Sequence, residues 1–180
     1  MLIGLLPVEG VADADQDALA SFAAAHCDCA TRRLPELAMP AGAFDTRRGQ
    51  YDATALLKAA LAARPAEADR LLVVTEQDIF IPMLTFIFGQ AQVDGPVALV
   101  SLARLRQEFY GMAARRDLML ERARKEIVHE LGHTFGLVHC ADRQCAMALS
   151  INVTNIDIKR DSLCGGCARN LAGRLEALGW

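Results

Sequence analysis

The sequence predicts a single domain of mixed α and β structure, built on a small, largely parallel β-sheet with flanking helices. Three observations support this prediction. The length of 180 residues fits one domain. The composition, 53% hydrophobic and 23% charged, is that of a globular protein with a buried core. Short apolar segments typical of strands alternate with segments typical of helices through the first half of the chain.

The elements of the first half follow from apolar runs and from residues that cap or break helices. Strands are predicted where runs are short, apolar and rich in β-branched residues, at 2–8, 30–37, 71–75, 85–88 and 97–102. A helix is predicted over 13–25, because acidic residues in its first turn interact favourably with the helix dipole. A second helix is predicted over 51–64, with Asp52 as a candidate N-cap and Pro65 as a stop.

The second half contains a long helix followed by a segment with little periodic pattern. Asp117 is the candidate N-cap of this helix, and Gly136 is expected to end it. One face of the helix is apolar, at Leu120, Ala123, Ile127, Leu131 and Phe135. His129 and His133 lie on roughly the opposite face, so the helix has a core face and a chemical face. A last helix is predicted over 167–178.

Charge and hydropathy exclude several classes of protein. A net charge of −3 and a pI near 5.8 argue against binding to nucleic acid or to an anionic membrane. The longest apolar stretch, 79–89, contains Pro82 and is shorter than the roughly 20 residues that a membrane span needs. The apolar N-terminus lacks a basic leader and a cleavage site, so a cytoplasmic location is expected. Six cysteines in that compartment favour metal binding or catalysis over disulfides.

The long helix ends in an H-E-x-x-H-x-x-G-x-x-H array. Residues four apart share a helix face, so His129 and His133 can reach one ion. Gly136 can adopt a left-handed conformation that turns the chain and brings His139 back as a third ligand. Three neutral imidazoles leave a fourth tetrahedral position for water, the arrangement of a catalytic zinc site. Glu130 is expected to take a proton from that water as it attacks a carbonyl.

Four late cysteines, Cys140, Cys145, Cys164 and Cys167, form a C-x-x-x-x-C pair and a C-x-x-C pair separated by a loop. This spacing is typical of a zinc site, and four thiolates make the site closed and structural. Such a site would hold the segment that has little periodic pattern and would couple metal binding to folding. Two disulfides or four reduced thiols are the alternatives. Because Cys140 directly follows His139, the two sites should share backbone but not ligands.

The two metal motifs and the methionine between them resemble the signature of the archaemetzincins, a metzincin family that adds a four-cysteine zinc site: His129, Cys140, Cys145, Met147, Cys164 and Cys167. Three further blocks resemble that family, namely FDTRRGQY at 44–51, FIFGQA at 86–91 and EFYG at 108–111. The resemblance implies a zincin-like α+β fold. Its features are a twisted mixed sheet of about five strands, flanking helices, an active-site helix and a zinc-stapled C-terminal segment.

The resemblance also implies roles for individual residues. It assigns the three histidines to a catalytic zinc ion, Glu130 to the general base and the four late cysteines to a second, structural zinc ion. It places Met147 beneath the metal as a hydrophobic floor. It also identifies 85–88 as the antiparallel edge strand, with which a substrate could pair through backbone hydrogen bonds. We expect one domain over 1–180, in which 1–136 carries the sheet and active-site helix and 137–180 is a zinc-stapled subdomain.

Other candidate residues carry weaker signals. The H-C-D-C sequence that contains Cys27 and Cys29 looks like a metal site, but its cramped spacing favours ordinary buried or loop thiols. The 45–48 block, which contains Asp45, Arg47 and Arg48, is more typical of a surface ion-pair cluster than of a substrate site. Tyr51 and Tyr110 could donate to an oxyanion, although each is more typical of a core or rim aromatic residue.

Three functions compete at this stage. The first is a zinc metallopeptidase that acts on a peptide or protein substrate as a monomer, without nucleic acid or membrane. The second is an RNA hydrolase of the H-G-x-x-H-x-x-G-x-D-H type, against which both Glu130 and the acidic pI argue. The third is a zinc-stabilised binding protein with weak or no peptidase activity, in which the cleft is closed or retired.

Overall fold

A computed structural model describes all 180 residues, which form eight β-strands and five α-helices. The strands are β1 (Leu2–Pro7), β2 (Ala30–Arg33), β3 (Phe44–Asp45), β4 (Gln50–Asp52), β5 (Arg70–Thr75), β6 (Ile79–Phe80), β7 (Gly89–Ala91) and β8 (Val97–Ser101). The helices are α1 (Asp13–Cys27), α2 (Ala53–Ala62), α3 (Arg116–Thr134), α4 (Val153–Ile158) and α5 (Gly165–Leu178). Two 3-10 turns, Ala103–Leu105 and Gln107–Tyr110, connect β8 to α3.

The main sheet has the strand order β2-β1-β5-β8-β7. Its first four strands are parallel, and β7 pairs with β8 in the antiparallel direction at the edge. The predicted α+β fold with a mixed sheet of about five strands is therefore confirmed. A second, three-stranded sheet of order β3-β4-β6 has no counterpart in the sequence prediction, because its strands are only two or three residues long.

The central strands are apolar on both faces because each face packs against helices. One face, which includes Leu5 and Leu72, forms a core with α1 and α3. The other face, which includes Val73 and Leu99, forms a core with α2. Successive residues of a strand point to opposite sides, so buried strands of this kind show continuous apolar runs rather than alternation. The sheet thereby fixes α3, the helix that carries the histidine motif.

The predicted boundaries hold for most elements and shift where a short strand intervenes. The strand predicted at 30–37 ends at Arg33, although Leu37 still forms an isolated bridge with Val8. The helix predicted at 51–64 begins at Ala53, because Tyr51 belongs to β4. Asp52 is confirmed as its N-cap, since its carboxylate accepts a hydrogen bond from the Thr54 amide at 2.8 Å.

The edge strand predicted at 85–88 is wrong by four residues. Its residue Ile87 instead folds back onto β6, where the Ile87 amide donates to the Ile79 carbonyl at 3.0 Å. Pairing with β8 starts where the Ser101 amide donates to the Phe88 carbonyl at 2.8 Å and continues through Gly89–Ala91. The apolar run indicated extended backbone. Only the tertiary packing decides that Ile87 pairs with β6 and Phe88 with β8.

The predicted N-cap Asp117 is also wrong. The helix α3 begins at Arg116, and Asp117 lies within its first turn. The Arg115 guanidinium donates two hydrogen bonds to the Asp117 carboxylate, at 2.5 and 3.0 Å, and lowers the pKa of that carboxyl to about 2. The carboxylate is thus engaged mainly by the Arg115 side chain. The predicted end of α3 at Gly136 lies two residues beyond the observed end at Thr134. Gly136 has φ +78°, the left-handed conformation expected after the end of a helix.

Charged residues on one stripe of α3 are buried because the α4 segment covers them. The Arg122 guanidinium binds the Asp157 carboxylate at 2.7 and 2.8 Å, and Lys125 donates to the Asp157 carbonyl at 3.3 Å. One turn further on, Lys159 pairs with Glu126 at 3.0 Å, and their side chains are 1% and 3% exposed. A buried ion pair of this kind constrains strongly where the two segments meet.

We predict that Lys159→Met lowers the free energy of unfolding by about 3–5 kcal/mol, because Glu126 is then left as an unpaired buried carboxylate. Urea denaturation measures this loss. The double variant Glu126→Leu with Lys159→Met should recover most of it. As a control, Arg32→Met breaks an exposed pair with Glu67 and should cost less than about 1 kcal/mol. Equal losses in the two single variants would contradict the prediction.

Candidate metal centres

Three histidine side chains converge at the end of α3. His129 and His133 lie one helical turn apart, and the chain then turns at Gly136 so that His139 returns toward them. One ring nitrogen from each histidine lies within 4.8 Å of the others. The convergence that the motif spacing predicted is therefore present in the structure.

Hydrogen bonds at the far side of two rings determine which nitrogens are free. Nδ1 of His129 lies 2.8 Å from the Ala146 carbonyl, and Nδ1 of His133 lies 2.7 Å from the Leu137 carbonyl. A carbonyl only accepts, so each Nδ1 carries the proton of a neutral imidazole and each Nε2 has a bare lone pair. The two Nε2 atoms face each other at 3.1 Å.

Two lone pairs at that distance repel unless a cation lies between them. Nitrogens bound to one tetrahedral zinc ion stand about 3.3 Å apart, given Zn–N bonds of ~2.0–2.1 Å. Burial lowers the pKa of all three imidazoles, and that of His129 falls well below its usual range. All three are therefore neutral at pH 7, the form that binds a metal ion. The residues fit zinc.

Glu130 lies beside the histidines, buried under the edge strand. A Cβ atom added to Gly89 of β7 would come within 2.6 Å of the Glu130 Oε1 atom. Only a glycine at this position lets the strand pass over the carboxylate so closely. Burial, reinforced by nearby Glu126, raises the pKa of Glu130 well above its usual range. Gly89 lies in the FIFGQA block, but no spacing in the sequence indicates that a strand must pass over a carboxylate there.

Met147 packs against α3 between the two helical histidines. Its sulfur would lie 2.5 Å from a Cβ atom at Gly132, so the close approach requires glycine in the helix. The side chain is fully buried, and the Met147 carbonyl accepts a hydrogen bond from the Cys140 amide at 2.9 Å. This packing beneath the helix is the one expected of a hydrophobic floor.

The four late cysteines form a second cluster, separate from the histidines. Their Sγ atoms all lie within 4.8 Å of one another, and those of Cys140 and Cys164 are 3.8 Å apart. A disulfide would require about 2.05 Å, so all four are free thiols. Sulfurs bound to one tetrahedral zinc ion stand about 3.8 Å apart for Zn–S bonds of ~2.3 Å. The cluster fits zinc as well.

The backbone around Cys164 already favours a thiolate. The Cys167 amide donates a hydrogen bond to the Cys164 sulfur and lowers the pKa of that thiol to about 7. The thiolate is the form of cysteine that binds a metal ion. The Cys145 sulfur is buried and accepts a hydrogen bond from the Cys164 amide at 3.3 Å, so the two cysteine pairs also contact each other directly.

A cleft of about 490 Å³ gives access to the three histidines and Glu130. The segment 84–91, which includes β7, forms one wall, and the loop 149–151 forms the opposite wall. The exposed rim on both sides is apolar. The charged residues of the lining are Glu126 and Glu130, both buried at the base. A metal ion held by the histidines would therefore face a groove that is open to an extended chain.

Comparisons with known proteins agree with this geometry. Residues 30–173 match the model of peptidase family M54. The chain belongs to this family. It is 41% identical over 141 residues to an archaemetzincin from Methanocaldococcus jannaschii, covering 78% of this chain and 76% of that relative. It is 43% identical over 138 residues to an archaemetzincin from Methanopyrus kandleri, covering 77% and 75%.

Two solved structures show the same fold as this M54 protein. The crystal structure of the Methanopyrus kandleri archaemetzincin superposes with a TM-score of 0.86 at 35% identity, covering 98% of this chain and 96% of that one. A zinc-dependent peptidase from Methanocorpusculum labreanum gives 0.84 at 30% identity, covering 94% and 99%. The resemblance to the archaemetzincins is thus confirmed, and this M54 chain is a zinc metallopeptidase. None of its helices is long and apolar enough to cross a membrane.

Other candidate residues lie outside the cleft of this M54 peptidase. The Tyr110 hydroxyl donates to the Arg104 carbonyl at 2.9 Å, and the Tyr51 ring packs on Phe44. Neither tyrosine is part of the cleft lining. Cys27 and Cys29 lie at the C-terminal end of α1 and belong to neither metal-ligand cluster. Burial raises the pKa of Cys27 to about 12, so its thiol stays protonated.

The ion-pair cluster predicted at 45–48 is wrong. The guanidinium groups of Arg47 and Arg48 form no ion pair within 4.0 Å of a carboxylate oxygen. The Asp45 carboxylate accepts from the backbone amides of both arginines instead, at 2.8 and 3.2 Å. It stabilises a tight turn between β3 and β4 and leaves the arginine side chains free for other partners.

We predict that Gly89→Ala destabilises this M54 peptidase by about 1–3 kcal/mol, because the new methyl group would overlap Glu130 and the Leu99 carbonyl. Urea denaturation measures the change. Gly173→Ala is the matched control, since a Cβ atom there meets nothing within 4 Å and alanine favours the surrounding helix. Comparable stability of Gly89→Ala and the wild type would show that the close approach of β7 is unimportant.

Proposed function

We propose that this peptidase hydrolyses peptide bonds in the cleft, with His129, His133 and His139 as the ligands of a catalytic zinc ion and Glu130 as the general base. One observation carries the proposal. Bare imidazole lone pairs converge on a point beside a buried carboxylate, at the base of an open groove. This arrangement supplies a metal site, a proton acceptor and room for a peptide together.

The chain's own groups position and deprotonate the reactants. A bound zinc ion would polarise the scissile carbonyl and activate water for attack. Glu130 accepts the proton of the attacking water and passes it to the leaving amine. A carboxylate whose pKa is raised by burial is a stronger base, which suits Glu130 to proton transfer near neutral pH. The carbonyls of Ala146 and Leu137 keep the two helical imidazoles in the tautomer that presents Nε2 to the metal.

The edge strand offers a docking site for the substrate backbone. Phe88 and Gln92 bond to β8 through a carbonyl and an amide, at 2.8 and 3.0 Å. Because antiparallel pairing alternates, the backbone groups of Gly89 and Ala91 face away from the sheet. An extended peptide can pair with these groups as an added strand, which would place its scissile bond above Glu130.

We propose that Cys140, Cys145, Cys164 and Cys167 hold a second, structural zinc ion, giving two zinc ions per chain. The C-terminal segment needs such support because its own core comprises only three buried residues, Leu137, Cys145 and Met147. No residue of α5 is fully buried, so apolar packing alone holds this helix weakly. On this basis 137–180 is a zinc-stapled subdomain of one domain that spans 1–180.

The alternative function is a zinc-stabilised binding protein with weak or no peptidase activity, and it predicts a closed cleft. The volume of about 490 Å³ beside β7 counts against it. The proposed partner is therefore a peptide or protein substrate, which a monomer can accommodate. The proposed compartment is the cytoplasm, because all six cysteines are free thiols.

We predict that Glu130→Gln retains zinc but loses peptide cleavage by a factor on the order of 10²–10⁴, because the amide cannot accept a proton from water. A proteome-derived peptide library digested by wild type and variant in parallel measures this loss. Zinc content by mass spectrometry serves as the control for an intact site. Equal cleavage by the two proteins would overturn the general-base role, whereas a variant without zinc would point to a structural role.

We predict that Cys145→Ser lowers the zinc content from two ions to one per chain. It should also lower Tm by about 10 °C, the equivalent of a few kcal/mol at this size. Elemental analysis and thermal unfolding measure the two effects. Cys29→Ser is the control and should leave both unchanged, because Cys29 lies outside the cluster. A Cys145→Ser protein that still binds two zinc ions would contradict the assignment.

A further inference from the structure

The 45–48 block has no part in the function proposed so far, although its geometry is specific. The Asp45 carboxylate and the left-handed residue Gly49, with φ +66°, shape a tight turn between β3 and β4. This turn directs the Arg48 side chain toward the loop that follows β6. The β4–β6 pairing, in which Tyr51 lies opposite Ile79, fixes the distance between the turn and that loop.

The Arg48 side chain holds the loop 81–84 by binding the backbone of that loop. Its guanidinium donates to the Leu84 carbonyl at 2.9 Å and to the Pro82 carbonyl at 3.4 Å. The same group stacks on the Phe80 ring, 4.4 Å from the centroid. No other group of the protein donates a hydrogen bond to either carbonyl. The Arg48 side chain therefore ties the loop tip to the turn between β3 and β4.

The clamped loop forms one end of the cleft wall. Its turn is closed by the Leu84 amide, which donates to the Ile81 carbonyl at 3.0 Å, and Leu84 then points into the cleft. Leu149 and Ile151 lie on the opposite wall. These three side chains are 51%, 58% and 70% exposed, so they form an apolar rim that the folded chain leaves uncovered.

Phe86, which lies on the same wall of the cleft, also packs against an arginine side chain. The Arg104 guanidinium lies 3.9 Å from the centroid of Phe86, and Asp78 holds that guanidinium with bonds of 2.6 and 2.8 Å. Gln50, which follows the 45–48 turn, donates to the same Asp78 carboxylate at 2.9 Å. The Arg48 contact and the Arg104 contact thus support this wall at two points, and Asp78 links the second point to Gln50 of the second sheet. Neither point touches the metal-ligand clusters.

We propose that Arg48 is a positioning residue that determines which side chains the cleft accepts. By fixing the loop tip it holds Leu84 opposite Leu149 and Ile151, and this apolar rim selects peptides with a large apolar side chain near the scissile bond. The cleavage part of the inference rests on the proposed function; the binding preference does not. Arginine suits this position because its planar group donates two bonds and stacks at once, which lysine cannot reproduce.

The test uses two otherwise identical peptides of small polar residues that carry either leucine or serine at one central position. Wild type should favour the leucine peptide in kcat/KM by a factor on the order of 10². Arg48→Met should reduce this preference about tenfold through a higher KM for the leucine peptide, with kcat changed less than about twofold. Arg48→Lys should recover only part of the preference.

Two further variants separate positioning from a general structural effect. Leu84→Ser should reproduce the loss of preference, because it removes the apolar contact directly. Arg47→Met is the matched control and should behave as wild type, since only the backbone amide of Arg47, and not its guanidinium, has a hydrogen-bond partner. A preference that survives Arg48→Met, or that is lost equally in Arg47→Met, would overturn the inference. So would a wild type that favours the serine peptide.

Calorimetric binding of both peptides to the zinc-loaded Glu130→Gln protein tests the inference independently of cleavage. A leucine preference in binding that falls about tenfold with Arg48→Met in that background supports the positioning role. This holds even if the wild type cuts neither peptide, a result that would count against the proposed function alone. Equal binding of the two peptides would overturn the proposed selection.

Discussion

The structure depends on a polar helix in the middle of the protein. Two neutral imidazoles of α3 present bare Nε2 atoms to each other at 3.1 Å, and each ring is fixed by a backbone carbonyl behind it. Buried polar groups cost free energy unless they are paired, so every segment that covers α3 must bring the correct partner. The chain from Ala146 to Lys159 supplies a carbonyl, a carboxylate and an ammonium group in that order.

Close packing around this helix follows from residues that lack side chains. Gly89 lets the edge strand pass over Glu130, and Gly132 lets the Met147 sulfur rest against the helix. At Gly136 the requirement is conformational, because φ is +78° and the turn there returns His139 to the site. Each glycine brings a different segment of the chain against α3. Glu130, Met147 and His139 are therefore placed by backbone geometry as much as by their own side chains.

The two candidate metal clusters lie in parts of the molecule that are packed differently. The sheet and its two apolar cores hold α3, so the helical histidines are preorganised by ordinary packing. Beyond Gly136 the separate apolar cluster has only three buried residues, and other cysteine side chains pack against it. His139 lies at the junction, next to Cys140, whose amide bonds to the Met147 carbonyl. The third imidazole is thus the point where the sheet-supported and cysteine-supported parts of the molecule meet.

The amino-acid sequence was sufficient for the features that depend on local spacing. These are the strands β1, β2, β5 and β8, the helices α1, α2, α3 and α5, the N-cap at Asp52 and the grouping of candidate ligands into two clusters. Ligand spacing is local, because a helical turn and a glycine turn together determine where imidazoles can meet. The edge strand, the Lys159–Glu126 pair and the Arg48 clamp were not predictable in this way. Each joins segments far apart along the chain, and only the packed sheet decides which carbonyl, carboxylate or strand lies within hydrogen-bonding distance.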